Sequence, residues 1–283
     1  MPAFLTLAEA IAQLVPDGAS VALEGFTHLI PFAAGHELIR QRRRELHLIR
    51  MTPDLVYDQL IGVGAARKLT FSWGGNPGVG SLHRLRDAVE NGWPRAIELD
   101  EQTHAGLAVA YTAGAAHLPF GLIRGYIGTD LPSKNPLIRS VRCPYTGEQI
   151  ATVRAVNPDV TILHAQRADR RGNVAIEGIV GAAREAAFAA KKLLVTVEEI
   201  VPEMKPAMNG VLLPHFVVTA IAHCPGGAWP SYVHGRYARD NDFYLRWDAI
   251  ARDRAQFGQW IERHVRGTAD HRGFLDSIRR EAA

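Results

Sequence analysis

Only two cysteines, Cys143 and Cys224, occur in 283 residues, and neither belongs to a CxxC pair. That scarcity excludes a disulfide framework and a cysteine-held zinc site, and it fits a reduced, cytoplasmic setting. No apolar run approaches the roughly 20 residues that a membrane-spanning helix needs. The opening residues, Met1 to Ala10, lack the charged and apolar regions of a secretory signal. Neither sign of charge dominates: 32 Lys and Arg against 29 Asp and Glu leave a net +3. That excess suits anionic ligands but is too weak to argue for nucleic acid, and Arg42–Arg44 reads as a solvated helix end. There is no internal repeat, no low-complexity linker and no G-x-G-x-x-G, which argues against a nicotinamide site.

What is present is an alternation of short apolar runs with amphipathic stretches, at 47% hydrophobic and 22% charged residues. Val21–Leu23, Leu46–Met51, Leu69–Trp73, Ala96–Leu99, Val160–His164 and Lys192–Val197 read as buried strands. Helical spacing falls between most of them, beginning with Leu5–Val15, where Thr6 and Glu9 form a capping box. Leu82–Glu90 is a further helix, with Ser81 as its expected cap, and Gln102–Ala116 another. This order predicts an α/β fold, an open mainly parallel sheet with helices on both faces. One domain over residues 1–283 is the economical architecture. Prolines break up an irregular insertion at about 128–158, where Arg139–Cys143 and Gln149–Val153 flank Thr146-Gly147 as a β-hairpin projection. Gly121–Tyr126 precedes it as a strand, and Val211–Leu213 and Val217–Ala222 are late ones. From about residue 240 the tail is helical, with Trp247, Ile250, Phe257, Trp260 and Ile261 as its apolar stripe.

Ligands of open α/β sheets lie outside the carboxyl ends of strands. Two loops stand there. The first follows Val21–Leu23 and reads Glu24-Gly25-Phe26-Thr27-His28, closed by Pro31. The second, Ser72 to Ser81, carries Gly74, Gly75 and Asn76, with glycines that permit close backbone approach and amides that attract anions at the next helix. A substrate or acyl-thioester loop is the functional reading; a tight turn of structural glycines is the alternative. Glu101 ends the Ala96–Leu99 strand region and is a third candidate.

With these residues in place, the chain resembles the A-type chain of family I coenzyme A transferases over nearly its whole length. The resemblance rests on Asp17-Gly18, the strand Val21–Leu23, Gly25-Phe26 and Pro31, with Glu24 where the family opens on a glycine. Leu118-Pro119-Phe120, the turn Ala168–Asn173 and Val197-Glu198-Glu199-Ile200-Val201 add to it. Within the family, Glu24–Pro31, Arg50-Met51-Thr52-Pro53-Asp54 and Phe71–Gly78 are similar to the glutaconate-transferase-type branch. The resemblance implies an α/β/α open sheet paired with a CoA-transferase B subunit. It further implies coenzyme A thioesters as substrates and no permanent cofactor, with succinyl-CoA as donor and 3-oxoadipate as acceptor, in aromatic catabolism. It also implies covalent catalysis by a glutamate of the B chain, in a Ser-Glu-Asn-Gly motif.

Val89-Glu90-Asn91-Gly92 imitates that motif here. It ends an amphipathic helix, and Asn-Gly is what a helix terminus ordinarily uses. The nucleophile is therefore expected on the partner, leaving no catalytic residue in this chain. Substrate binding falls to Glu24, Gly25, Thr27, His28, Ser72, Gly74, Gly75, Asn76 and Glu101. Glu98-Leu99-Asp100-Glu101 also resembles a setting found in ring-opening hydrolases of the same family, which would use water as acceptor. Another dicarboxylic acid in a glutaconate-type transfer is a further alternative. A sugar-phosphate regulator or isomerase shares the fold class, but no basic recognition helix precedes the domain.

Overall fold

The computed structural model describes residues 1–205 and 209–282. The first third alternates regularly: β1 (Ala3–Phe4), α1 (Leu7–Leu14), β2 (Ser20–Leu23), α2 (Phe32–Arg40), β3 (Leu46–Ile49), α3 (Leu55–Gly62), β4 (Ala66–Phe71), α4 (His83–Glu90) and β5 (Glu98–Glu101). The middle comprises α5 (His104–Ala115), β6 (Phe120–Ile123), α6 (Leu131–Lys134), β7 (Ile138–Arg142), β8 (Gln149–Arg154), β9 (Val160–Asp169) and β10 (Val174–Glu177). The last part holds α7 (Ala183–Ala189), β11 (Lys192–Val201), β12 (Gly210–Leu213), β13 (Ala220–His223), α8 (Asn241–Arg252), α9 (Arg254–Trp260) and α10 (His271–Ala282). A π-helical turn, Ile261–Arg266, joins α9 toward α10.

The main sheet runs β1-β13-β11-β9-β2-β3-β4-β5, every neighbouring pair parallel, with β10 and β12 attached antiparallel beside β9. Successive βα units step outward from β2 through β5, and then the chain returns to β9 on the other side of β2. The strand order therefore reverses between β2 and β9, and the crevice at their carboxyl ends is where such sheets take ligands.

Side chains alternate across each strand, so the sheet has two faces to cover. Val21 and Leu23 point into a core shared with α1 to α4 and the tail helices, where Trp247, Phe257 and Trp260 lie buried. Ala22 points the other way, against Leu107, Ala110 and Tyr111 of α5 and Ala186 of α7. Helices cover both faces, as the alternating pattern predicts. The capping box of α1 forms too: Glu9 N–H donates to Thr6 Oγ1 at 3.2 Å and Thr6 N–H to Glu9 Oε2 at 2.9 Å.

Four expectations shift. The projection is a three-stranded antiparallel sheet, β6-β8-β7, and not a lone hairpin. Its third member is the run expected at Gly121–Tyr126, which ends at Ile123; Tyr126 has left the strand, and its hydroxyl accepts Thr103 N–H at 2.9 Å ahead of α5. Ser81 does not cap α4. Asp58 of α3 does so instead, Oδ1 accepting the amides of Arg84 at 2.8 Å and Leu85 at 2.9 Å. A cap supplied by a different helix leaves no mark in the local sequence. Finally, the strand expected over Val217–Ala222 spans Ala220–His223, because residues 214–217 form a turn.

Candidate active site

Glu24 leaves β2 at its carboxyl end and is 4% exposed. Its Oε1 accepts the Tyr111 hydroxyl at 2.8 Å and Met51 N–H at 3.3 Å, so the carboxylate joins β2, β3 and α5. Beside it Arg50, 1% exposed, donates to Gly25 O at 2.8 Å and to Asp54 Oδ1 at 3.0 Å. The row Glu24, Arg50, Asp54 is thus a buried frame of two acids and one base beneath the loop. Burial raises the pKa of both carboxyls above the ordinary range, against the opposing charge of Arg50. Tyr57 supports the frame from α3, its hydroxyl accepting Leu23 N–H at 3.0 Å and donating to Ile49 O at 2.7 Å.

The loop above this frame is strained. Thr27 and Leu29 take φ of 63° and 54°, the left-handed region that β-branched and bulky side chains avoid. At Gly25 a Cβ would sit 2.6 Å from Leu29 O, so the turn closes on its own backbone and needs glycine. The conformation persists because the following residues are pinned. Leu29 N–H donates to Tyr232 O at 3.1 Å and Ile30 N–H to Ser231 Oγ at 3.2 Å. His28 is fully buried, stacks on Tyr232 with ring centroids 4.8 Å apart, and donates from Nε2 to Ile179 O at 2.6 Å. Burial lowers the His28 pKa and keeps the ring neutral. Thr27 is exposed at the rim.

The second loop hangs from the same turn, residues 51–54. Ser72 Oγ donates to Met51 O at 2.6 Å, the amides of Ser72 and Trp73 donate to that same carbonyl, and Gly75 N–H donates to Pro53 O. Asn76 is buried, its Nδ2 donating to Tyr244 O at 2.9 Å and its N–H to Gly80 O at 2.8 Å. With Asp58 holding the amides of α4, the anion-receptive N–H groups expected of this loop are largely spent on the protein itself. At Gly75 a Cβ would lie 2.5 Å from the Trp73 ring, so glycine lets that indole fold across the loop. Gly74 packs toward Leu85.

Arg50 to Asp54 therefore bring together Glu24, Gly25, Ser72 and Gly75, with Thr27 at the mouth. Glu101 lies three strands from Glu24, about 14 Å at roughly 4.8 Å per strand, but it pairs with Phe71 and so stands beside the root of the Ser72 loop. It is exposed at the sheet edge, its carbonyl accepting Asn135 Nδ2. Glu90, also exposed, ends α4 in a 2.8 Å ion pair with Arg86 one turn earlier. Between the two loops a cavity of about 200 Å3 is walled by Phe26, Thr27, Thr52, Trp73, Arg239 and Tyr244, with Arg50 and Asp54 at its floor. A larger hollow, about 600 Å3, opens elsewhere, between β3–β5 and the small sheet. There His47 bonds Thr70, which donates to Asp100, and burial holds His47 neutral with a pKa near 4.

Arg239 and Tyr244 gave no sign in the sequence. They come from the stretch before and within α8, far along the chain from both loops. Arg50 carried the one available signal, a charge closing an otherwise apolar strand. Among the described residues no group of His, Cys, Asp and Glu is arranged to hold a metal ion, and no helix is long and apolar enough to cross a membrane.

The coenzyme A transferase family model matches residues 4–223. The chain is 61% identical over 278 residues to the A-type chain of the 3-oxoadipate CoA-transferase of Pseudomonas knackmussii, covering 98% of its own length and 99% of the relative's. Among solved structures it superposes on glutaconate coenzyme A-transferase from Acidaminococcus fermentans with a TM-score of 0.90 at 27% identity, covering 97% of this chain and 92% of that one. The decarboxylase AibA/AibB matches with a TM-score of 0.80 at 30% identity, covering 92% and 98%.

Proposed function

The chain belongs to the coenzyme A transferase family, and from that premise we propose that it is the A-type half of a two-chain enzyme moving coenzyme A from succinyl-CoA to 3-oxoadipate. The observation that carries this reading is the 61% identity spread over 98% of the chain to a relative of that name. On this reading residues 1–283 act as one domain in the cytoplasm, with a B subunit docked over the carboxyl ends of β2 to β4. Coenzyme A arrives and leaves as a thioester, and no cofactor stays bound.

The chemistry divides between the chains. A glutamate carboxylate of the B chain attacks the donor thioester carbonyl, forming a mixed anhydride and releasing coenzyme A as thiolate. The thiolate attacks the glutamyl carbonyl of the anhydride, leaving a glutamyl thioester and free succinate. The acceptor carboxylate then attacks that thioester and the steps run in reverse. Thioester energy survives only if water is kept out. That task suits this chain. Phe26, Thr27, Thr52 and Trp73 wall the acyl cavity, while Glu24 and Arg50 brace the loop from below. Ser72, Gly74, Gly75, Asn76 and His28 hold the walls in place, and Glu101 stands at the far margin of the crevice.

Reconstitution tests the reading. The purified chain alone should turn nothing over; mixed with a B-type chain carrying Ser-Glu-Asn-Gly, it should show ping-pong kinetics with succinyl-CoA and 3-oxoadipate. Full turnover by this chain alone would overturn the division of labour. Release of coenzyme A at full rate without an acceptor acid would establish a hydrolase instead.

A further inference from the structure

We propose that Arg239 is the anchor for the distal carboxylate of the acceptor, making the cavity beside it a subsite for dicarboxylic acids. The inference rests on the transferase reading above and adds a residue to it. Arg239 lies in the segment leading to α8, and its guanidinium carbon sits 3.8 Å from the centroid of the Tyr244 ring. One amino group, Nη2, donates to Pro77 O at 2.6 Å, and Nε is buried with no partner. Two supports, an aromatic face and a carbonyl, thus fix the plane of the guanidinium.

Of the other charged groups near the cavity, Arg50 and Asp54 pair with each other, and Glu24 lies behind them with Tyr111 and Met51 donating to it. Arg50 has Asp54 at 3.0 Å, whereas Arg239 makes no ion pair among the described residues. Of the three charged side chains lining the cavity, Arg50, Asp54 and Arg239, the first two cancel and the third is surplus. Asp54 does not repel an incoming acid at full strength, because its carboxylate is bound to Arg50. A guanidinium is a planar fork that matches a carboxylate in two parallel hydrogen bonds. Held flat on a ring and half-buried at a cavity of about 200 Å3, it loses little freedom on binding. A monocarboxylic acid spends its only carboxylate on the reaction and has nothing to offer this group. A dicarboxylic acid presents its second carboxylate there while the first reacts.

The test is selectivity in the reconstituted two-chain enzyme. For Arg239→Gln, the ratio of kcat/KM for 3-oxoadipate to that for 3-oxohexanoate should fall about 30- to 100-fold, the loss typical of a buried charge-assisted contact. Arg239→Lys keeps the charge without the fork and should fall between the two. Binding of adipate, followed by Trp fluorescence because Trp73 shares the cavity, should weaken at least about tenfold in Arg239→Gln. A role limited to holding Pro77 would lower activity toward both acids in proportion. A selectivity ratio within about twofold of wild type, with adipate binding kept, overturns the proposal. Should the wild-type pair transfer coenzyme A to no acid, the transferase reading itself falls, and adipate binding still decides the role of Arg239.

Discussion

Arg50→Met removes the one base from the buried frame while keeping a stem of similar length. Two hydrogen bonds disappear, to Gly25 O at 2.8 Å and to Asp54 Oδ1 at 3.0 Å, and two buried carboxyls lose their counter-charge. Truncating one partner of a buried ion pair costs about 3–5 kcal/mol, chiefly by stranding the other. At roughly 2–4 °C per kcal/mol for a chain of this size, the melting temperature should fall by about 6–20 °C near neutral pH. The loss should also depend on pH. Burial raises Glu24 and Asp54, and Arg50 is the largest influence opposing it, so both rise further in the variant. A carboxyl whose folded pKa lies above its unfolded value favours folding at low pH. It surrenders that contribution as pH climbs through the interval between the two values. The deficit of Arg50→Met should therefore be greatest at about pH 8 and shrink toward about pH 4–5. Thermal unfolding followed by circular dichroism across that range decides it. A loss below about 1 kcal/mol at the alkaline end, or a deficit indifferent to pH, refutes the account of the frame.

Glu90→Ala should leave kcat within about threefold in the reconstituted enzyme, since breaking an exposed pair usually costs under roughly 0.5 kcal/mol; loss of a trappable glutamyl thioester on this chain would contradict that. Asp58→Ala strands two helix amides and the Trp247 indole N–H, which donates to Oδ2 at 3.1 Å, and should cost about 3–5 kcal/mol in urea unfolding. A loss under about 1 kcal/mol would mean that water replaces the carboxylate. Asp87 is held down to about 2 by its bond from Arg254, with Asn91 and the Arg84 charge assisting. A depressed folded pKa stabilises above the unfolded value, near 4, and that contribution is lost as pH falls toward 2. Asp87→Asn should flatten this acid limb of stability; an unchanged limb excludes Asp87 as its source.

The pattern of strands and helices was legible because each apolar run reports its own burial. Val21–Leu23 and Val160–His164 read correctly from a few residues, as did the Thr6–Glu9 box, because the forces setting them are local. Where a partner distant in sequence decides the outcome, the reading slipped. Ser81 has the right chemistry for a cap, yet Asp58 reaches the same amides from α3. The glycine-rich loop reads as a set of free amides, but Met51 and Pro53, some 20 residues earlier, take three of them and the loop's own carbonyls take three more. Tyr126 belongs to a strand by composition and to the entry of α5 by its hydroxyl. Arg239 and Tyr244 lacked any local signal. Only the fold of the tail onto the sheet brings them beside Thr27 and Trp73.

On the two-chain reading proposed above, distant partners also explain why the attacking carboxylate is assigned to the B chain. Glu24 is in place but engaged, with Tyr111 and Met51 donating to it, and burial disfavours the charged form a nucleophile requires. Asp54 is equally buried and bound to Arg50. Glu90 is exposed and faces Arg86, while Glu101 is exposed on the edge strand, about 14 Å across the sheet from β2, and does not line the cavity. None of the four combines ionisation, freedom and access to the cavity. What remains at the mouth is Phe26, Thr27 and Trp73, the last 48% exposed. Those are groups that a covering surface would dry, and on the two-chain reading that surface also brings the attacking carboxylate.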